Sequence, residues 1–263
     1  MAEEETGVLG RLPFLAVGAG PPLVYLAGLT PDPGVPDGAS RRAELSTLRP
    51  FAARRRVHYI NRRGGLPRGL TMAEMAAEHA DAIRGAFGGP VDVVGASTGG
   101  SIAQQLAADH PDVVRRLVLV STACRLGFAA QRLQQRVAAR VRGGAPRQAL
   151  AVLMADLVPP RRGQLAAGVA AWLAAPVLAR SDLADMATTI EAEDAFDLAH
   201  CPPIEAPTLI VAGEQDRFYS HALFEETNRL IPASRLTLVP GRGHGTVLFD
   251  AAYRREAPDF VAS

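Results

Sequence analysis

The chain alternates short, unbroken apolar runs with stretches in which apolar residues recur every three to four positions. Leu23-Val24-Tyr25-Leu26-Ala27 follows Gly20-Pro21-Pro22 and reads as a buried strand. Val57-His58-Tyr59-Ile60 reads as a second, closed by Asn61-Arg62-Arg63-Gly64-Gly65. Val91-Asp92-Val93-Val94, Leu117-Val118-Leu119-Val120, Thr208-Leu209-Ile210-Val211-Ala212 and Arg235-Leu236-Thr237-Leu238-Val239 continue the series. Between strands the period lengthens. Thr71, with Glu74 three residues on, is a capping-box signal, and Met72, Met75, Ile83 and Phe87 then share one helical face. His79 lies on that stripe and reads as a packed core residue. A further helix is expected from Ser101 to Ala108, ended before Pro111. Strands alternating with helices imply right-handed βαβ crossovers and a mainly parallel sheet covered on both faces.

From Cys124 to His200 the strand signal stops. The stretch is rich in Ala, Leu, Val and Arg, keeps a helical period, and is broken at Gly143-Gly144-Ala145-Pro146 and Val158-Pro159-Pro160. Cys201-Pro202-Pro203 closes it. The parse is therefore one α/β core over residues 1–124 and 201–263, with an inserted helical subdomain over 125–200.

Composition narrows the function classes. The 263 residues are 48% hydrophobic, enough for one large core, and only 5% aromatic. All 28 basic residues are arginine, balanced by 27 acidic ones to a net charge of +1. That balance gives no electrostatic ground for nucleic acid or an anionic membrane as partner. The clusters Arg54-Arg55-Arg56 and Arg161-Arg162 read as solvated faces. Cys124 and Cys201 stand far apart with no metal-ligand spacing, which fits structural thiols, no bound metal and a cytoplasmic location. The acidic N-terminus lacks the basic and apolar regions of a signal peptide, and no apolar stretch is long enough to span a membrane.

The chemistry concentrates where strands end. Gly95-Ala96-Ser97-Thr98-Gly99 is G-x-S-x-G between an expected strand and an expected helix. At so sharp a turn the residues two before and two after the serine pass close together, so a Cβ at Gly95 or Gly99 would clash. The strain points the Ser97 hydroxyl outward, beside a helix N-terminus able to meet negative charge. A serine nucleophile needs a base, and the base needs an orienting acid, which in this architecture follow in the order Ser, acid, His. Asp216 lies in the loop after strand 208–212, and His244, between glycines, in the loop after strand 235–239. Glu214 is the alternative acid. For an oxyanion hole, the Thr98 amide follows the nucleophile, and the turn at Gly28 can aim the Leu29 amide at the same point.

These pieces resemble the α/β-hydrolase superfamily over nearly the whole chain. The matching stretches are Gly18-Ala19-Gly20-Pro21-Pro22-Leu23-Val24, the Ser97 turn, Arg116-Leu117-Val118-Leu119, Thr208-Leu209-Ile210-Val211 with Asp216, and the His244 loop. The resemblance implies an eight-stranded sheet, a cap inserted after strand six, and Ser97, Asp216 and His244 as nucleophile, acid and base. Ser121-Thr122-Ala123-Cys124-Arg125-Leu126-Gly127 is similar to the cap entrance of 3-oxoadipate enol-lactonases and their carboxylesterase- or haloperoxidase-like relatives. Two positions depart from the superfamily pattern. Ala27 stands where His is usual, which removes a hydrogen bond supporting the oxyanion loop. Thr98 stands where Met is common, which would put a hydroxyl beside the substrate. A serine in place of aspartate argues against epoxide hydrolase or haloalkane dehalogenase chemistry.

The expected reaction is two-step acyl transfer without metal or organic cofactor, on a small-molecule ester, lactone or thioester that is partly apolar. Leu150, Leu153, Met154, Trp172, Leu173 and Leu178 of the insertion are the expected apolar wall. The same triad also serves C–C hydrolysis, lyase or cofactor-free oxygenase chemistry, and the fold also serves as a ligand-binding protein with little turnover; the residues leave these open.

Overall fold

A computed structural model describes residues 4–157, 168–173 and 183–262. Eight strands form one sheet: β1 (Glu4–Leu9), β2 (Leu12–Val17), β3 (Pro22–Leu26), β4 (Arg56–Ile60), β5 (Val91–Ala96), β6 (Val114–Val120), β7 (Thr208–Gly213) and β8 (Ser234–Val239). Their order is β1-β2-β4-β3-β5-β6-β7-β8. β2 runs antiparallel to β1 and β4, and every pairing from β4 to β8 is parallel. The expected eight-stranded, mainly parallel sheet is therefore observed. The helices are α1 (Gly38–Ala52), α2 (Met72–Phe87), α3 (Thr98–Asp109), α4 (Phe128–Arg142), α5 (Pro146–Leu157), α6 (Ala184–Asp194), α7 (His221–Leu230) and α8 (Ala251–Ala262), together with a helical segment at 168–173.

Strand alternation divides the core into two layers. Val24 and Leu26 of β3 face the side covered by α2 and α3, while Leu23 and Tyr25 face the side covered by α1 and α8. β5 divides in the same way, with Val93 on the first side and Val94 and Ala96 on the second. Because both faces are buried, the central strands are apolar over most of their length, Asp92 of β5 being an exception. α2 begins with both halves of the capping box, Thr71 and Glu74. His79 is buried on it, with Nδ1 2.7 Å from the Met75 carbonyl oxygen, and burial pulls its pKa down. His79 is thus the core residue its position suggested. Cys124 and Cys201 are free thiols, both pushed up by burial.

The Arg54-Arg55-Arg56 cluster departs from the expected solvated face. Arg54 is exposed beside Asp259, but Arg55 is 7% exposed and pairs at 3.1 Å with the fully buried Asp92 carboxylate. Arg115 meets the same carboxylate from the other side. The Asp92 within an apolar strand demands such cations, since an unpaired charge there would be very costly. Arg161-Arg162 and the Val158-Pro159-Pro160 break lie outside the described residues.

Between β6 and β7 the described chain is helical, with α4 and α5 separated at the predicted Gly143–Ala145 break. No helix among the described residues is long and apolar enough to cross a membrane, and they hold no cluster of His, Cys, Asp and Glu suited to a metal.

Candidate active site

Parallel strands bring their C-terminal ends into register, Leu26 beside Gly95, Ala96 beside Val120, Val120 beside Val211 and Gly213 beside Val239. The loops that follow therefore meet at one sheet edge, where parallel sheets present their sites. Ser97 sits there at φ 51° and ψ −124°, a conformation few side-chain-bearing residues adopt. A Cβ on Gly95 would lie 2.7 Å from the Gly99 carbonyl oxygen, and one on Gly99 would strike the carbonyls of Leu26 and Ala27. Both glycines are required by close approach, as the spacing indicated.

His244 Nε2 lies 3.0 Å from Ser97 Oγ, and its Nδ1 lies 2.9 Å from Asp216 Oδ2. The structure thus brings together the three residues named from the sequence. The Asp216 side chain is fully buried, and its Oδ1 accepts the backbone N–H groups of Phe218 (2.8 Å) and Tyr219 (3.1 Å). Glu214, the alternative acid, is exposed. The imidazole packs against two rings, with the Phe218 centroid at 4.6 Å and that of Tyr219 at 6.0 Å. Ser121 Oγ donates to the His244 carbonyl at 2.6 Å, fixing the loop that carries the ring. Ser121, itself at φ 52°, had no local sequence signal for this role.

Gly28 passes close to the elbow: a Cβ there would lie 3.5 Å from Ser97 Cβ. Leu29 follows it, and among the described residues neither the Leu29 nor the Thr98 amide donates a loop or turn hydrogen bond. The loop is braced despite Ala27. Asn61 Nδ2 donates to Thr30 Oγ1 and to the carbonyls of Asp32 and Gly34 at 3.0–3.2 Å. Arg62 donates to the carbonyls of Thr30 (2.7 Å) and Pro31 (2.8 Å). The support expected to be missing is supplied from the end of β4.

Thr98 also departs from expectation. Its hydroxyl is not presented to a substrate but donates to Glu193 Oε2 of α6 at 2.8 Å. Glu193 further accepts from Ser101 Oγ and Gln134 Nε2, each at 3.0 Å. A buried carboxyl thus ties the inserted helices α4 and α6 to the first turn of α3. Burial pushes Glu193 above the usual carboxylate range, against the opposing pull of its hydrogen bonds from Gln134, Thr98 and Ser101. A raised folded pKa means the native chain holds this proton more tightly than the unfolded chain. Its stabilising share is complete below the ordinary carboxyl range and is lost as pH rises through the raised value. Glu193→Gln, which cannot ionise, is therefore expected to gain thermal midpoint relative to wild type as pH rises from about 4.5 to 8. Melting curves at both pH values check this; a difference that is flat or shrinks refutes it.

Ser97 and His244 line a cavity of about 340 Å³, together with Leu29, Gln134, Leu153 and Phe218. Of the expected apolar wall, Leu153 reaches this cavity and Leu150 is packed in the core. Met154 is partly buried, Trp172 and Leu173 are exposed, and Leu178 lies outside the described residues. Exposed Trp172 instead carries Arg147 over its ring.

Residues 23–263 match the Alpha/beta hydrolase family, and the chain belongs to it. It is an enzyme of that class. Over 90% of its length it is 32% identical to polyketide synthase ThaQ of Burkholderia thailandensis, of which it spans only 12%. It is 30% identical to a pimeloyl-acyl-carrier-protein methyl ester esterase of Neisseria meningitidis, over 69% of this chain and 73% of that one. Its fold matches an enol-lactonase from Burkholderia xenovorans LB400 with TM-score 0.73 at 22% identity, over 98% and 100% of the two chains.

Proposed function

We propose that the enzyme is a serine hydrolase that cleaves a carboxylic ester, lactone or thioester through an acyl-enzyme on Ser97. The observation that carries this reading is the relay of 3.0 Å from Ser97 to His244 and 2.9 Å from His244 to Asp216. His244 Nε2 takes the Ser97 proton as Oγ attacks the carbonyl carbon. The Leu29 and Thr98 amides hold the oxyanion, each worth about 3–4 kcal/mol in comparable sites. His244 then protonates the leaving group, and water attacks the acyl-enzyme by the same route in reverse. Asp216 holds the imidazole with its Nε2 lone pair toward Ser97 and stabilises the cation.

Residues 125–200 serve in this reading as a cap over Ser97, supported by Leu153 and Gln134 on the cavity wall and by the Glu193 tie. The route requires no metal or organic cofactor. An ester is favoured because a named relative acts on an acyl-carrier-protein methyl ester. A fluorophosphonate probe is expected to label the folded enzyme at Ser97, and a panel of esters, lactones and thioesters to show turnover that the label abolishes. Folded protein that takes no label would sink the reading.

A further inference from the structure

The cavity at Ser97 continues past the oxyanion loop and runs beneath α1, where Ala43, Glu44 and Thr47 form its wall with Tyr25 of β3. Glu44 is the one carboxylate among its described lining residues. The Thr47 hydroxyl is turned to the Glu44 backbone carbonyl at 2.8 Å and not to the carboxyl. Burial pushes the carboxyl up to about 6, the Tyr59 hydroxyl pulls it back, and no cation contributes. Arg62, whose charge reaches Tyr59, is held on the carbonyls of Thr30 and Pro31 and balanced by Asp185 and Asp32.

A carboxylate withdrawn from water without a counter-ion is unfavourable, and groups of this kind cluster where a ligand supplies the missing partner. Packing does not require it, since leucine or glutamine would fill the same place on α1 without the charge. Among the described residues no arginine lines the cavity, so Glu44 sets the formal charge of this wall. Such a cavity concentrates cations, and Tyr25 adds an aromatic wall beside the carboxylate.

We propose that Glu44 is a specificity-determining residue that binds the cationic, ammonium-bearing end of the substrate while the scissile carbonyl lies at Ser97. This rests on the serine-hydrolase reading. The substrate class is then an ester or thioester carrying an ammonium group on its acyl or its alcohol side.

Two isosteric pairs test it. The acyl-side pair is the para-nitrophenyl ester of a trimethylammonio-alkanoic acid and that of its neutral tert-butyl isostere. The alcohol-side pair is butyrylcholine and the butyrate of the neutral tert-butyl analogue of choline. In at least one pair the wild type is expected to prefer the cation in kcat/KM, with Glu44→Gln lowering that preference about tenfold and Glu44→Asp restoring part of it. Equal turnover within both pairs, or a preference that survives Glu44→Gln, overturns the proposal. Choline binding to wild type and Glu44→Gln, measured by calorimetry, reads the subsite without turnover. Binding lost in Glu44→Gln supports the subsite even where none of the four esters is hydrolysed, an outcome that would count against the hydrolase reading alone. Choline bound equally by both proteins refutes the subsite.

Discussion

Alanine at position 97 is expected to lower kcat toward an activated ester by roughly 10^4- to 10^6-fold, with KM changed far less. In the proposed route Ser97 Oγ forms the bond that defines the acyl-enzyme, so no other group can replace it. What remains is attack by water in a cavity whose amides still polarise the carbonyl, which sets the floor well above the uncatalysed rate. The backbone at φ 51° is strained for alanine as much as for serine, so folding is expected to survive with a thermal midpoint within about 3 °C. The experiment also separates chemistries. An enzyme using this relay only to move protons on a substrate would keep much of its turnover without Oγ. Steady-state rates on wild type and variant decide, and a loss smaller than tenfold would remove Ser97 from the bond-forming step.

The parts of the molecule legible in the sequence are those whose physical requirement is local. β3, β5, β6 and β7 carry largely apolar runs because their positions in the sheet are covered, and Ser97, Asp216 and His244 each sit in a glycine-marked or strand-closing turn. β1 gave no such pattern, being an edge strand exposed along much of its length, and the apolar run Phe14–Val17 of β2 is short and stands behind Pro13, a residue that reads as a turn. α1 was equally quiet, because Arg41, Arg42, Arg49 and Pro50 surround the few residues it buries, Thr47, Leu48 and Phe51.

The supports of the site were silent for a different reason. Asn61 and Arg62 brace a loop some thirty positions earlier, and Glu193 reaches Thr98 across 95 positions. No short window of sequence contains both members of such a pair. Away from the site one long-range pair did carry a signal: Asp92 in the apolar run Val91–Val94 calls for a buried cation, and Arg55 answers it. The same logic left Thr98 misjudged, since its hydroxyl could be assigned only once its partner was known. Glu44 is the converse case, a half-buried carboxyl to which the chain brings the Tyr59 hydroxyl but no cation.

Asparagine at position 216 is expected to cost about 10^4-fold in kcat, at least as much as alanine there, and for a reason fixed by the hydrogen bonds. Asp216 Oδ1 accepts two backbone N–H groups, from Phe218 and Tyr219, so an amide placed here must keep its oxygen on that side. Its NH2 then faces His244 Nδ1, the position now occupied by Oδ2. A donor at that point forces Nδ1 to accept, which puts the ring proton on Nε2, directed at Ser97. The base is thereby filled before the serine can use it. Asp216→Ala leaves Nδ1 free to take either role, so the imidazole keeps some fraction of the productive tautomer and loses mainly its electrostatic support. Nitrogen NMR of His244 at a pH where the ring is neutral reads the tautomer directly. Wild type is expected to carry the proton on Nδ1 and Asp216→Asn on Nε2. An unchanged tautomer, or an asparagine variant more active than the alanine one, would show that Asp216 acts by charge alone and not by orienting the ring.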